Sequence, residues 1–71
     1  MRMYVLEHIP SEQVIETRRY ESNEDAIGRC KRVWQFTSWA LFCLEQRADG
    51  KRFKRLVHRY VLISGPRVTV Q

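Results

Sequence analysis

Glycine, proline and cysteine are all scarce in this chain, at three, two and two in 71 residues. Two cysteines, Cys30 and Cys43, close at most one bridge, which excludes a scaffold built on disulfides. They read as small buried hydrophobes in a reducing compartment. Gly28, Gly50 and Gly65 stand apart from one another, so there is no glycine-rich phosphate loop. The longest apolar run, Trp39–Leu44, is six residues and far too short to span a bilayer. Met3–Leu6 is broken off by Glu7 and His8, which is not the pattern of a signal peptide. The expectation is a soluble, cytoplasmic protein with no membrane segment.

Motifs that carry chemistry are missing as well. No CxxC, HxxxH or HExxH spacing occurs, and His8, His58, Cys30 and Cys43 are scattered, so no metal site is expected. Both cysteines sit in apolar contexts, which raise a thiol's pKa instead of activating it. Ser11, Ser22, Ser38 and Ser64 fall at turns or element ends, without the base and orienting group that a nucleophile needs. Glu7 and Glu16, on neighbouring strands, are candidates for paired carboxylates, but an exposed acidic patch is the simpler assignment. No catalytic residue, metal or cofactor is expected, and the chain is not read as an enzyme.

What the chain does have is segregated charge. Residues 1–28 hold three basic and six acidic side chains, and residues 29–71 hold ten and two, for a net +5. The stretch Lys51–Tyr60 carries Lys51, Arg52, Lys54, Arg55 and Arg59 with His58, set among Phe53, Leu56, Val57 and Tyr60, and contains no acid. A basic pole of this kind steers a domain toward an anionic partner.

The patterning describes one small α+β domain over residues 1–71, with no repeat or linker. Residues 3–9 and 13–20 read as strands joined by the turn Pro10-Ser11-Glu12. Ser22 with Asp25 forms a capping box, and Ile27, Cys30, Val33 and Trp34 then recur at helical spacing, predicting a helix that ends near Gln35 or Phe36. Gly28 inside it weakens the helix or marks close approach to a sheet. Residues 38–47 and 51–63 read as strands folded about a two-residue Asp49-Gly50 turn. Phe53, Leu56, Val57, Tyr60 and Val61 also fit helical spacing, but the β-branched and aromatic content and the cations at the would-be helix start favour strands. Symmetric pairing about that turn sets Trp39 opposite Tyr60 and Cys43 opposite Leu56. Residues 66–71 either add an edge strand or fray. The result is a β-β-α-β-β order: a four-stranded antiparallel sheet with one helix packed on one face. The expected core is Val5, Ile27, Cys30, Trp34, Trp39, Leu41, Cys43, Leu56, Tyr60 and Leu62. Arg18 and Arg19, adjacent in a strand, point to opposite faces. In layout the chain is similar to several very small phage-encoded proteins, among them inhibitors of host polymerase and anti-CRISPR proteins. The likeness is one of layout, without a shared motif, and assigns no residue a role.

The candidate binding set is Arg47, Lys51, Arg52, Phe53, Lys54, Arg55, His58 and Arg59, with a secondary basic patch at Arg29, Lys31 and Arg32. Lysine and arginine contact phosphates, aromatic rings stack on unpaired bases, and His58 adds charge below neutral pH. The expected function is a non-enzymatic module contacting nucleic acid, DNA or RNA, through a basic hairpin. The alternative is a protein-binding inhibitor or adaptor that meets an acidic surface of a nucleoprotein complex. A homo-oligomer whose second-half strands pair across subunits is a third possibility.

Overall fold

A computed structural model describes residues 1–63 of the chain. The tail segment expected to add an edge strand or fray lies outside these described residues. The element order is β1 (Arg2–His8), β2 (Val14–Tyr20), α1 (Asn23–Val33), β3 (Trp39–Gln46) and β4 (Arg52–Tyr60). All pairings are antiparallel, in one sheet of order β2-β1-β3-β4. This is the β-β-α-β-β α+β arrangement that the patterning predicts, with β1 and β3 central and β2 and β4 at the edges. The second half is a hairpin, not a pair of helices.

The core forms because β1 and β3 alternate in phase. Tyr4 pairs with Cys43, Leu6 with Leu41 and His8 with Trp39, which puts six side chains, five of them buried, on one side of the sheet. α1 covers that side with Ala26 and Cys30, while Ile27 and Trp34 flank the contact. The helix starts as its sequence dictates: Ser22 Oγ accepts the Asp25 N–H at 3.1 Å, and Glu24 and Asp25 occupy the positive first turn. Three polar ties then fix the helix on the sheet. The Tyr4 hydroxyl donates to Asn23 Oδ1 at 2.6 Å. Arg29 Nη1 donates to Glu16 Oε1 at 2.5 Å and to the Tyr20 hydroxyl at 2.9 Å. The Trp39 indole N–H donates to the Trp34 carbonyl at 3.0 Å. That last bond marks where the helix stops, at Val33 and short of the expected Gln35. Trp34 already has φ −114° and ψ 43°, and its carbonyl turns to the indole.

The expected core needs correction in three places. Val5 lies on the other side of the sheet, half-buried, and Leu62 is 39% exposed. Leu56 is 50% exposed. Tyr4, Leu6, Tyr20 and Ala26 belong to the core and were not in the expected set. The Leu56 error has a definite origin in the hairpin turn. The loop holds three residues, Ala48-Asp49-Gly50, not two. Arg47 N–H donates to the Lys51 carbonyl at 2.7 Å and Gly50 N–H to the Arg47 carbonyl at 2.9 Å, with Gly50 at φ 89°. This is the three-residue hairpin whose last position calls for a left-handed glycine. It pairs Cys43 with Arg55 and Glu45 with Phe53, one residue out of phase with the expected register. At the far end Trp39 pairs with Tyr60 and Leu41 with His58, as expected. Val57 is the extra residue between the two registers, a β-bulge opposite Leu41 and Phe42.

A one-residue slip moves every side chain to the opposite face. Between the loop and the bulge, Phe53 and Arg55 therefore turn to the helix side, while Arg52, Lys54 and Leu56 turn away from it. The expected pairing of Cys43 with Leu56 would place these two sets the other way round.

Gly28 does not mark a close approach. A Cβ there meets only the end of the Arg32 side chain, at 3.9 Å, an ordinary contact. Gly28→Ala is therefore expected to raise stability by about 1 kcal/mol, read as a higher urea midpoint. An unchanged or lower midpoint contradicts the open space at this position.

Burial also sets a pH dependence. It pushes Tyr4 and Tyr20 above their ordinary value of 10.0, and pushes the Cys30 thiol above 9.0. For Tyr20 the hydrogen bond from Arg29 opposes the burial effect without reversing it. Groups raised in the folded state contribute stability that is complete below the ordinary value and lost as pH rises toward the folded one. The urea midpoint is expected to fall from about pH 9 upward, and a Cys30→Ala variant to begin falling later. A midpoint flat through this range in the parent chain contradicts burial of the three groups.

Candidate functional site

The side of the sheet away from α1 is covered by no other element among the described residues. Alternation brings Met3, Val5 and Glu7 of β1 to this face, beside Ala40, Phe42, Leu44 and Gln46 of β3. On β4 the bulge adds Arg59, Leu56, Lys54 and Arg52, paired in that order with Ala40, Phe42, Leu44 and Gln46. On β2, Arg19 pairs with Met3 and Thr17 with Val5. Without the bulge, Arg59 would share a face with Val57 and Arg55. With it, three cations of β4 and one of β2 stand on a single surface.

The centre of this surface is apolar. Met3, Val5, Phe42 and Leu44 are half-buried, and Leu56 is half-exposed at the β4 edge. The cations occupy the margins, Arg19 along β2 and Arg52 and Arg59 along β4. None of these three arginines has a carboxylate within ion-pair distance among the described residues. Lys54 differs. Its ammonium lies 2.5 Å from Glu7 Oε2 and 4.4 Å from the centroid of the Phe42 ring. Glu7 is only 8% exposed, so Lys54 supplies the countercharge that a buried carboxylate requires. Two shallow cavities open on the face. One, of about 380 Å³, lies against Ile9, Pro10, Ala40, Phe42 and Arg59; the other, of about 350 Å³, lies against Met3, Thr17, Leu44, Gln46 and Arg52.

The structure divides the expected binding set. Arg52, Lys54 and Arg59 lie together on the uncovered face. Phe53 and Arg55 lie on the helix side, where Arg55 pairs with Glu45 at 3.0 Å. His58 also faces that side and packs against Trp39, with ring centroids 5.8 Å apart, which removes it from the exposed basic surface. Arg47 and Lys51 close the loop and are exposed. In the secondary patch, Arg29 is committed to Glu16 and Tyr20, which together hold its guanidinium above the usual arginine range, the Tyr20 hydrogen bond most of all. Lys31 and Arg32 are exposed on the outer side of α1, where Arg32 donates to the Gly28 carbonyl.

Sequence reasoning missed Arg19, Met3, Val5, Phe42 and Leu44 as members of this face. The signal was present: Met3-Val5-Glu7 and Phe42-Leu44-Gln46 each alternate with core residues, and Arg19 was known to oppose Arg18. Glu7 and Glu16 do not form a carboxylate pair. They lie on opposite faces, each held by a cation.

No family model, curated protein or solved structure matches this chain. Among the described residues, no helix is long and apolar enough to cross a membrane, and no three His, Cys, Asp or Glu side chains group as a metal site would need. The class defined by fold and surface is a small α+β sheet domain with one face packed by a helix and the other, among the described residues, bare, apolar at its centre and cationic at its margins.

Proposed function

We propose that this chain is a small non-enzymatic module that binds nucleic acid through the uncovered face of its β3–β4 hairpin. The observation that carries this reading is the gathering of Arg19, Arg52 and Arg59, all without ion-pair partners among the described residues, around one apolar surface. Unpaired guanidinium groups release condensed counterions when they meet phosphates, and they orient a backbone without reading sequence. Lys54 contributes less to such contacts, because Glu7 already neutralises it.

A second reading, a protein-binding inhibitor or adaptor, draws on a different observation. Phe36, just beyond α1, is 84% exposed, and Val33 beside it is half-exposed. A bare aromatic of this kind is a common anchor at protein interfaces. Capture from lysate that survives nuclease treatment and is lost in Phe36→Ser favours this reading.

For the nucleic-acid reading, three free arginines on single-stranded ligand set the expected salt slope at about −2 in log K against log[salt]. Arg52→Glu and Arg59→Glu are each expected to weaken binding about tenfold and to flatten that slope, whatever the sequence of the ligand. Lys31→Glu and Arg32→Glu, on the far side of α1, are expected to change binding by less than about threefold. Equal losses at both sets, or no binding at low salt, contradict the proposal.

A further inference from the structure

Resting on the nucleic-acid reading, we infer that the ligand of the bare face is a single strand, lying bases down on the apolar centre with its phosphates toward the arginines at the margins. Three features of the face lead there. The first is the arrangement of polarity. Phosphate ligands stand at the two edges, Arg19 on β2 and Arg52 and Arg59 on β4, while Val5, Phe42 and Leu44 fill the space between and Leu56 extends it onto the β4 edge. A duplex keeps its bases stacked inside and presents phosphates outward. It would meet the arginines and leave the apolar centre wet. Only unpaired bases offer apolar faces that remove this centre from water.

The second feature is the charge of the centre itself. Among the described residues Lys54 is the one cation placed inward, and it is held by the buried Glu7 over the Phe42 ring. The middle of the face is therefore close to neutral, which suits a base and not a phosphate. A duplex-binding surface would be expected to be cationic throughout.

The third feature is the pair of shallow cavities, about 380 and 350 Å³, at the two ends of the face. Ala40 and Phe42 floor one, and Leu44 and Gln46 the other. Four residues of extended chain separate them, or about 13 Å. Each cavity joins a floor on β3 to polar edges, Thr17 and Glu45 in the second, His8 and Glu12 in the first, where Glu7 is tied to Lys54. Arg59 lines the first, and Arg19 and Arg52 line the second. This repeat of base seat and phosphate ligand fits a strand running along β3.

The test uses the full chain and fluorescence anisotropy at fixed low salt, with three labelled probes: a short oligo-dT strand, an abasic strand with the same number of phosphates, and a duplex of the same length. The single strand is expected to bind about tenfold or more tightly than either competitor, because stacking and base burial are absent from the abasic strand and inaccessible in the duplex. Leu56→Thr keeps a strand-forming residue at an exposed edge and removes apolar surface, and Phe42→Ala removes the ring. Both are expected to narrow the preference for the oligo-dT strand over the abasic one, while the salt slope stays near that of the parent. Equal binding of all three probes, or tighter binding of the duplex, overturns the single-strand inference and leaves the nucleic-acid reading standing. Binding of none of them overturns both.

Discussion

The two ends of the β3–β4 hairpin are held in registers that differ by one residue, and the rest of the molecule's surface follows from that mismatch. At one end the register is set by packing. Trp39 is fully buried, stacks on Tyr60 with centroids 5.1 Å apart and planes 19° apart, and donates its indole N–H to the end of α1. The Tyr60 hydroxyl in turn donates to the Gln35 carbonyl at 2.8 Å. At the other end the register is set by turn chemistry, a three-residue loop that needs Gly50 in the left-handed region. Neither end can yield without losing either the core anchor or the turn. The strand resolves the conflict with an extra residue, Val57, whose side chain packs against the core. The bulge is thus stabilised by burial even though it interrupts the ladder.

The proposed function depends on the same point. The bulge makes Arg59 share a face with Leu56, Lys54 and Arg52, and so joins the ends of the hairpin into one surface. It also affects the edge. β4 is an edge strand bearing Arg52, Lys54, Arg55 and Arg59 along its length. Antiparallel pairing with β4 of a second copy would set cations against cations, which opposes growth of the sheet by that route. An anionic strand lying across the face meets no such penalty. Arg52 and Arg59, which keep their charge without an ion-pair partner among the described residues, both discourage self-association and serve the proposed ligand.

Much of the fold was legible in the residues. The Ser22 cap, the acidic first turn and the spacing of Ile27, Cys30 and Trp34 give α1 directly, and Asp49-Gly50 marks the turn. The Trp39–Tyr60 pair was also accessible, since both registers agree at that end. What was not legible was the length of the turn. Asp-Gly serves a two-residue loop and also the end of a three-residue loop, and local sequence does not separate them. That single residue inverted the assignment of Phe53, Arg55 and Leu56, and with it half of the candidate site. His58 was misplaced for a different reason: its register is the expected one, but a histidine in a basic run looks exposed until the tertiary contact with Trp39 is known. Arg19 was missed because it comes from the acidic half of the chain and joins the basic face only through the pairing of β1 with β2.

The most direct test of this account is an NMR titration of the full chain with a short single-stranded oligonucleotide, following backbone and methyl shifts. The largest changes are expected at Val5, Arg19, Phe42, Leu44, Arg52, Leu56 and Arg59, with little change at Glu24, Lys31 and Arg32 on the exposed side of α1. Changes centred on the helix surface, or on Phe53 and Arg55 without their neighbours Lys54 and Leu56, would contradict it.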